Sequence, residues 1–253
     1  MMKTMIKPLM MTALLLVASV AVEAQTAERS FAKRIEYGVT AGLNVGATTP
    51  MPKPAEVDKI HTWTPHMNIA LKAWGTYRFD SDRCWGITSG IEFEKKGMYA
   101  STHVSGLNVH MKKYGFEGNT YTGDNSTEVA NSYLTLPVVA TYVTPNEKFR
   151  VHLGFYLSYL MQKEFKVTLD GDGMLDYREL KKGALVDFDF SGQFSPVDFG
   201  GRLSFDYYFT SRIAVTGQVN LGATSVLKSS FDVMPFNLYN AYGFVGFSYM
   251  LFR

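Results

Sequence analysis

"VDFGGRLSFDYYFTSRIAVTGQVNLG", residues 197–222, decides the fold. Val197, Phe199, Leu203, Phe205, Tyr207 and Phe209 fall on one side of an extended chain, with Asp198, Arg202, Ser204 and Asp206 on the other. After the turn at 210–212 the alternation resumes, Ile213, Val215, Val219 and Leu221 against Thr216, Gln218 and Asn220. A period of two marks a strand, and two such runs joined by a tight polar turn make a hairpin.

Working outward, the same alternation recurs at 35–48, 68–79, 85–98, 132–143, 149–165 and 240–252, so the sequence predicts eight strands in all. Most span about 11–14 residues, longer than the ~5–6 usual in soluble sheets and enough for the ~9–11 that a tilted membrane-crossing strand requires. The connections sort by length. "DSDRC", "TPNEK" and "TSR" are short, whereas 49–67, 99–131, 166–196 and 225–239 are long, in strict alternation. Outer-membrane barrels connect their strands this way, with short periplasmic turns and long extracellular loops, and an even strand count returns both termini to the periplasmic side. The predicted fold is therefore all-β: an eight-stranded antiparallel up-and-down transmembrane β-barrel.

One face of each strand is apolar, with Tyr or Phe often near a strand end, as in a lipid-facing band with aromatic girdles. The other face carries Glu36, Lys72, Arg78, Glu92, Glu94, Lys96, His152, Asp198, Arg202 and Asp206. An eight-stranded interior is narrow, and bulky aromatic faces would overfill it, so the apolar face is expected outside, against lipid. The competing expectation is an exported soluble barrel with an apolar interior that binds a lipophilic ligand.

The beginning of the chain supports export. Lys3 and Lys7 precede an apolar run from Leu9 to Val22, and Val22 and Ala24 have the spacing that signal peptidase recognises. Residues 1–24 are expected to be a signal peptide, 25–34 a short periplasmic segment and 35–253 the barrel. Cys84 is the one cysteine, which rules out an intrachain disulfide, and the net charge of +2 offers nothing to nucleic acid.

"YGVTAGLNVG" at 37–46, "YLTLPVVATYV" at 133–143, the segment at 197–222 and the aromatic C-terminal strand together resemble the PorT-like outer-membrane β-barrel family, common in Bacteroidota. The resemblance spans about 35–253. It implies location in the outer membrane of a Gram-negative, Bacteroidota-like cell, contact with outer-membrane lipid, insertion by the barrel-assembly machinery, no known catalytic residues and, for one member, association with a secretion system. The chain departs from the usual barrel ending by placing Arg253 after Phe252.

The residues bear on three chemistries. First, the inward charges could form an ion path, but buried charges in so narrow a lumen must pair, which favours a salt-bridged plug; open pores take about 16 strands or more. Second, an outer-membrane lipid-modifying or proteolytic enzyme would need a nucleophile set, yet there is no G-x-S-x-G, and the spacings of His61 with His66 and of His103 with His110 match no metal motif. No enzyme is expected. Third, "VTLDGDGMLDYREL" at 167–180 resembles part of an EF-hand loop, with Asp170, Asp172, Asp176 and Glu179 as candidate calcium ligands. Thr168 stands where the first ligand belongs, the preceding residues alternate as a strand, and only "LDYRELKK" could form a helix. A weakly held Ca2+ is the one cofactor suggested. Otherwise the D-G-D-G run is an acidic turn. Binding of an extracellular or periplasmic partner is expected to fall to the loops, chiefly the Gly- and Asn-rich second one with Tyr99, Tyr114, Phe116 and Tyr121.

Overall fold

Alternation of apolar and polar residues makes strands, and the strands run longest where both of their edges find partners. In a computed structural model that describes residues 34–79, 84–111, 116–169, 174–175, 178–179, 186–231 and 233–252, these are β1 (Ile35–Pro50), β2 (Val57–Pro65), β3 (Asn68–Arg78), β4 (Trp85–Met111), β5 (Phe116–Val143), β6 (Phe149–Gln162), β7 (Phe165–Leu169), β8 (Met174–Leu175), β9 (Arg178–Glu179), β10 (Val186–Asp189), β11 (Val197–Tyr208), β12 (Ile213–Gly222) and β13 (Leu238–Phe252). The leader at 1–24 and the segment at 25–33 lie outside the described residues.

Eight of these strands close a ring, β1–β3–β4–β5–β6–β11–β12–β13, every neighbour antiparallel. The closing pair runs from Tyr37 opposite Phe252 to Pro50 opposite Leu238. These are the eight strands expected from the sequence, in the expected order, and the fold is an all-β antiparallel barrel.

The faces divide as expected for lipid outside. Leu153, Phe155, Val245 and Phe247 are 61–68% exposed, whereas Glu94, Lys96, Thr135 and Asp198 inside are no more than 1% exposed. A soluble barrel with an apolar interior requires the reverse, so that alternative is excluded. At the short-turn end, paired outer rings form a girdle: Tyr37 with Phe252, Trp85 with Tyr142, and Phe149 with Phe205, at 4.9–6.0 Å between centroids. Close strand approach on the inside requires glycine. A Cβ on Gly42 would lie 2.3 Å from the Val245 carbonyl oxygen and 2.7 Å from the Phe244 ring.

The long connections differ from the loops expected. β4 and β5 have 27 and 28 residues and continue past the ring as a hairpin, on the order of 40 Å along the strand. β2 adds to the outer edge of β4, and β7 with β10 adds to β5, giving the sheet order β10–β7–β5–β4–β2. The second connection is therefore mainly ladder, and the first contains a strand as well as its extended proline-rich start.

In the third connection, Asp170, Asp172 and Asp176 lie outside the described residues. Glu179 is in β9, where the backbone of Met174 pairs with Glu179 and that of Leu175 with Arg178. Among the described residues of this segment, 174–175 and 178–179 are paired as strands, not helical. An apolar core sits at this end of the barrel: Phe165, Phe188, Phe190 and Phe194 pack with Leu160, Val226, Leu227 and Leu238, with ring centroids 5.4–5.9 Å apart.

Candidate functional site: the lumen and the sheet beyond it

Each ring strand sends alternate side chains inward, and these stack in tiers. Nearest the short turns, Glu36 on β1 accepts from Arg150 at 2.7 Å and pairs with Arg78 at 3.4 Å. Arg78 also reaches Glu147 in the turn at 3.4 Å, and the Arg150 guanidinium lies 4.5 Å from the Tyr208 ring centroid.

Above this runs a belt to which all eight ring strands contribute. On one arm, hydroxyl contacts join Thr76 to Thr88 (2.7 Å) and Thr88 to Thr141 (2.6 Å). Thr141 meets His152 Nδ1 at 2.9 Å, and His152 Nε2 meets Asp206 at 3.0 Å. On the other arm, Trp74 Nε1–H donates to Thr40 (3.1 Å), Thr40 meets Ser248 (2.6 Å), Ser248 meets Thr216 (2.7 Å), and Thr216 donates to Asp206 (2.7 Å). The indole only donates and a carboxylate only accepts, so the Trp74 arm runs in one direction toward Asp206, and on the other arm His152 Nε2–H donates to Asp206.

In the next tier, Arg202 grips Glu92 with two bonds of 2.6 and 2.8 Å and donates through Nε to Asn220 at 2.9 Å. Lys72 donates to Gln218 at 2.7 Å, lies 4.0 Å from Glu92 and sits 3.6 Å over the Phe244 ring for which Gly42 leaves room. At the top, Lys96 lies between Glu94 (3.8 Å) and Asp198 (3.5 Å), with the rings of Tyr133, Tyr156 and Tyr242 at 4.8, 5.0 and 6.0 Å. Tyr133 also belongs to the apolar core above, which joins the top tier to the folded connections.

All the lumen charges expected from the sequence, Glu36, Lys72, Arg78, Glu92, Glu94, Lys96, His152, Asp198, Arg202 and Asp206, are buried and drawn into these tiers. Arg150 is missing from that expected set, although it shares the parity of His152 along β6. With it, five acids (Glu36, Glu92, Glu94, Asp198, Asp206) face five bases (Lys72, Arg78, Lys96, Arg150, Arg202). A cavity of about 50 Å3, lined among others by Lys72, Glu92, Arg150, His152, Arg202 and Asp206, lies between the tiers. That is room for a few water molecules.

A second cluster lies on the outer face of the sheet extension. His103 on β4 stands opposite Asp124 on β5. On β2 the ladder to β4 skips between Ile60 and Thr62, so His61 is the extra residue of a bulge. Asp124 Oδ1 accepts from His103 Nδ1 at 2.6 Å and from His61 Nε2 at 3.2 Å. The hydrogen bond from His103 holds the Asp124 carboxyl below its ordinary range. His66, just past the end of β2, lies 3.8 Å from Glu128 on β5. The sequence spacings, His61 with His66 and His103 with His110, match no metal motif and point to no such group; the structure instead brings His61 and His103 together on Asp124. β2, which the sequence did not predict, brings them together.

Several solved structures are similar to this chain. Ail, the attachment invasion locus protein of Yersinia pestis, is 12% identical over 85% of this chain and 98% of that one, with a TM-score of 0.37. The outer membrane protein OprG from Pseudomonas aeruginosa is 14% identical over 87% and 95%, with a TM-score of 0.34. Neisserial surface protein A is 10% identical over 85% and 96%, with a TM-score of 0.29. No curated protein sequence matches the chain. The model of the family described as outer membrane protein beta-barrel domain matches residues 23–228, well over half of the sequence, and the chain belongs to that outer-membrane family.

Proposed function

We propose that this outer-membrane barrel is a non-conducting membrane anchor whose folded long connections, projecting outside the cell, bind a partner. The carrying observation is the lumen: five acids and five bases are buried in hydrogen-bonded tiers around a cavity of about 50 Å3. Such an interior fixes the ring and leaves no path wide enough for a hydrated ion. The extension of β4 and β5, thickened by β2, β7 and β10, offers an ordered surface on which binding groups keep their positions.

The finer assignments belong to the same proposal. The protein is of the PorT-like type, from a Bacteroidota-like Gram-negative cell, exported by a leader cleaved before Gln25, inserted by the barrel-assembly machinery and surrounded by outer-membrane lipid. Its short turns face the periplasm. A binding role is preferred to catalysis. Thr141, His152 and Asp206 have the residue types of a hydrolase triad, but they are buried in the belt, and Thr141 is also engaged by Thr88. A substrate carbonyl has no approach to that hydroxyl.

Planar-bilayer recording of the purified, folded protein tests the proposal. No steady conductance is expected, and a reproducible open level would overturn the anchor reading.

A further inference from the structure

We propose that His61, His103 and Asp124 form a binding site for a divalent transition-metal ion of the Zn2+ class on the outer face of the sheet extension. The ligating atoms, one from each residue, lie within 4.8 Å of one another. They come from three adjacent strands, β2, β4 and β5, so the backbone ladders fix their spacing. Two imidazole nitrogens and one carboxylate oxygen suit Zn2+, Ni2+ or Cu2+, whereas calcium and magnesium prefer oxygen alone. The cation chemistry here therefore differs from that expected of the aspartates in the third connection.

The present contacts show how an ion enters. Both ring N–H groups converge on one carboxylate oxygen, at 2.6 and 3.2 Å. Ligands held about 2.0–2.1 Å from a tetrahedral zinc stand roughly 3.3 Å apart, so His103 and Asp124 need separate by only a fraction of an ångström. Each neutral imidazole would carry its proton on the nitrogen that points away from the metal. The three side chains are 36–44% exposed, so the ion has a path from solvent and the groups have freedom to turn. Three protein ligands leave the fourth position to water or to a donor from a bound partner. The inference stands on this geometry alone and does not depend on the lumen being closed.

The test uses the untagged, folded mature chain in detergent, freed of metal with a chelator and titrated with Zn2+ by calorimetry. Co2+ absorption then reports the ligand field. One Zn2+ per barrel is expected. His61→Ala, His103→Ala and Asp124→Asn should each weaken binding at least about tenfold, the low end of what losing a mere supporting partner costs. His66→Ala, beside Glu128 on the same face, should leave affinity unchanged. Heat-modifiable gel migration confirms that each variant is folded. Absence of Zn2+ binding, or an equal loss in His66→Ala and His103→Ala, would overturn the site.

Discussion

Asp206 is the acceptor on which two hydrogen-bonded arms converge, one through His152 and Thr141 and the other through Thr216 and Ser248. Replacing it with alanine orphans the donors of His152 and Thr216, at about 1–3 kcal/mol each. Asp206→Asn keeps the shape but presents an amide that donates where a carboxylate accepts, so one arm must reverse. We predict that Asp206→Ala lowers the urea midpoint of unfolding in lipid bilayers more than Asp206→Asn, and that both fall below the parent. An unchanged midpoint in Asp206→Ala would show that the belt contributes nothing. The charges of the lumen were legible from parity alone, because period two assigns every residue of a strand once one is assigned. Arg150 shows where that rule needs care: the expected strand at 149–165 includes it, but the inward face was counted only from His152, two positions further on. The Thr belt was visible only as polar positions. Partners across the ring are set by stagger between strands, which a single sequence does not carry.

At the scale of elements, the eight ring strands were readable because their outer faces meet lipid and stay apolar for their whole length. The extension strands were not, because one face meets water and the other a small core. In 99–131 the buried positions Val104, Leu107, Tyr121 and Val129 are separated by Ser, Thr, Asn and Gly. That composition suggests a loop until the hairpin register is known. The partial EF-hand illustrates the same limit: its spacing is local, but the hairpin of β8 and β9 forms against β5. The folded end should be separable from the ring. Phe194 is 1% exposed within the aromatic cluster, and Phe194→Ala removes packing worth about 3–5 kcal/mol. Limited proteolysis of the variant should cut the third and fourth connections faster, while heat-modifiable migration of the ring stays as in the parent. Loss of that migration would mean that ring and cap fold as one cooperative unit.

At the scale of the whole molecule, the barrel is an ordinary protein turned inside out, with charges paired in the centre and rings against lipid. Under the proposed closed lumen, the barriers to ions stand in series: the Glu36 tier, the Asp206 belt, the Glu92–Arg202 tier, the tyrosine-ringed Lys96 and the aromatic core above. Barriers in series add, so hollowing one leaves the others to set the current. A variant carrying Lys72→Ala, Glu92→Ala and Arg202→Ala empties the middle tier and removes two bases and one acid together. This enlarges the cavity that those residues line. We predict that the triple variant, where it folds, still gives no steady current in planar bilayers. Its cavity should nonetheless take up water, so backbone amides of β3, β4 and β11 exchange hydrogen faster than in the parent. A steady current from this variant would mean that the tiers below and the core above are not barriers in their own right, and that the middle tier alone holds the lumen closed.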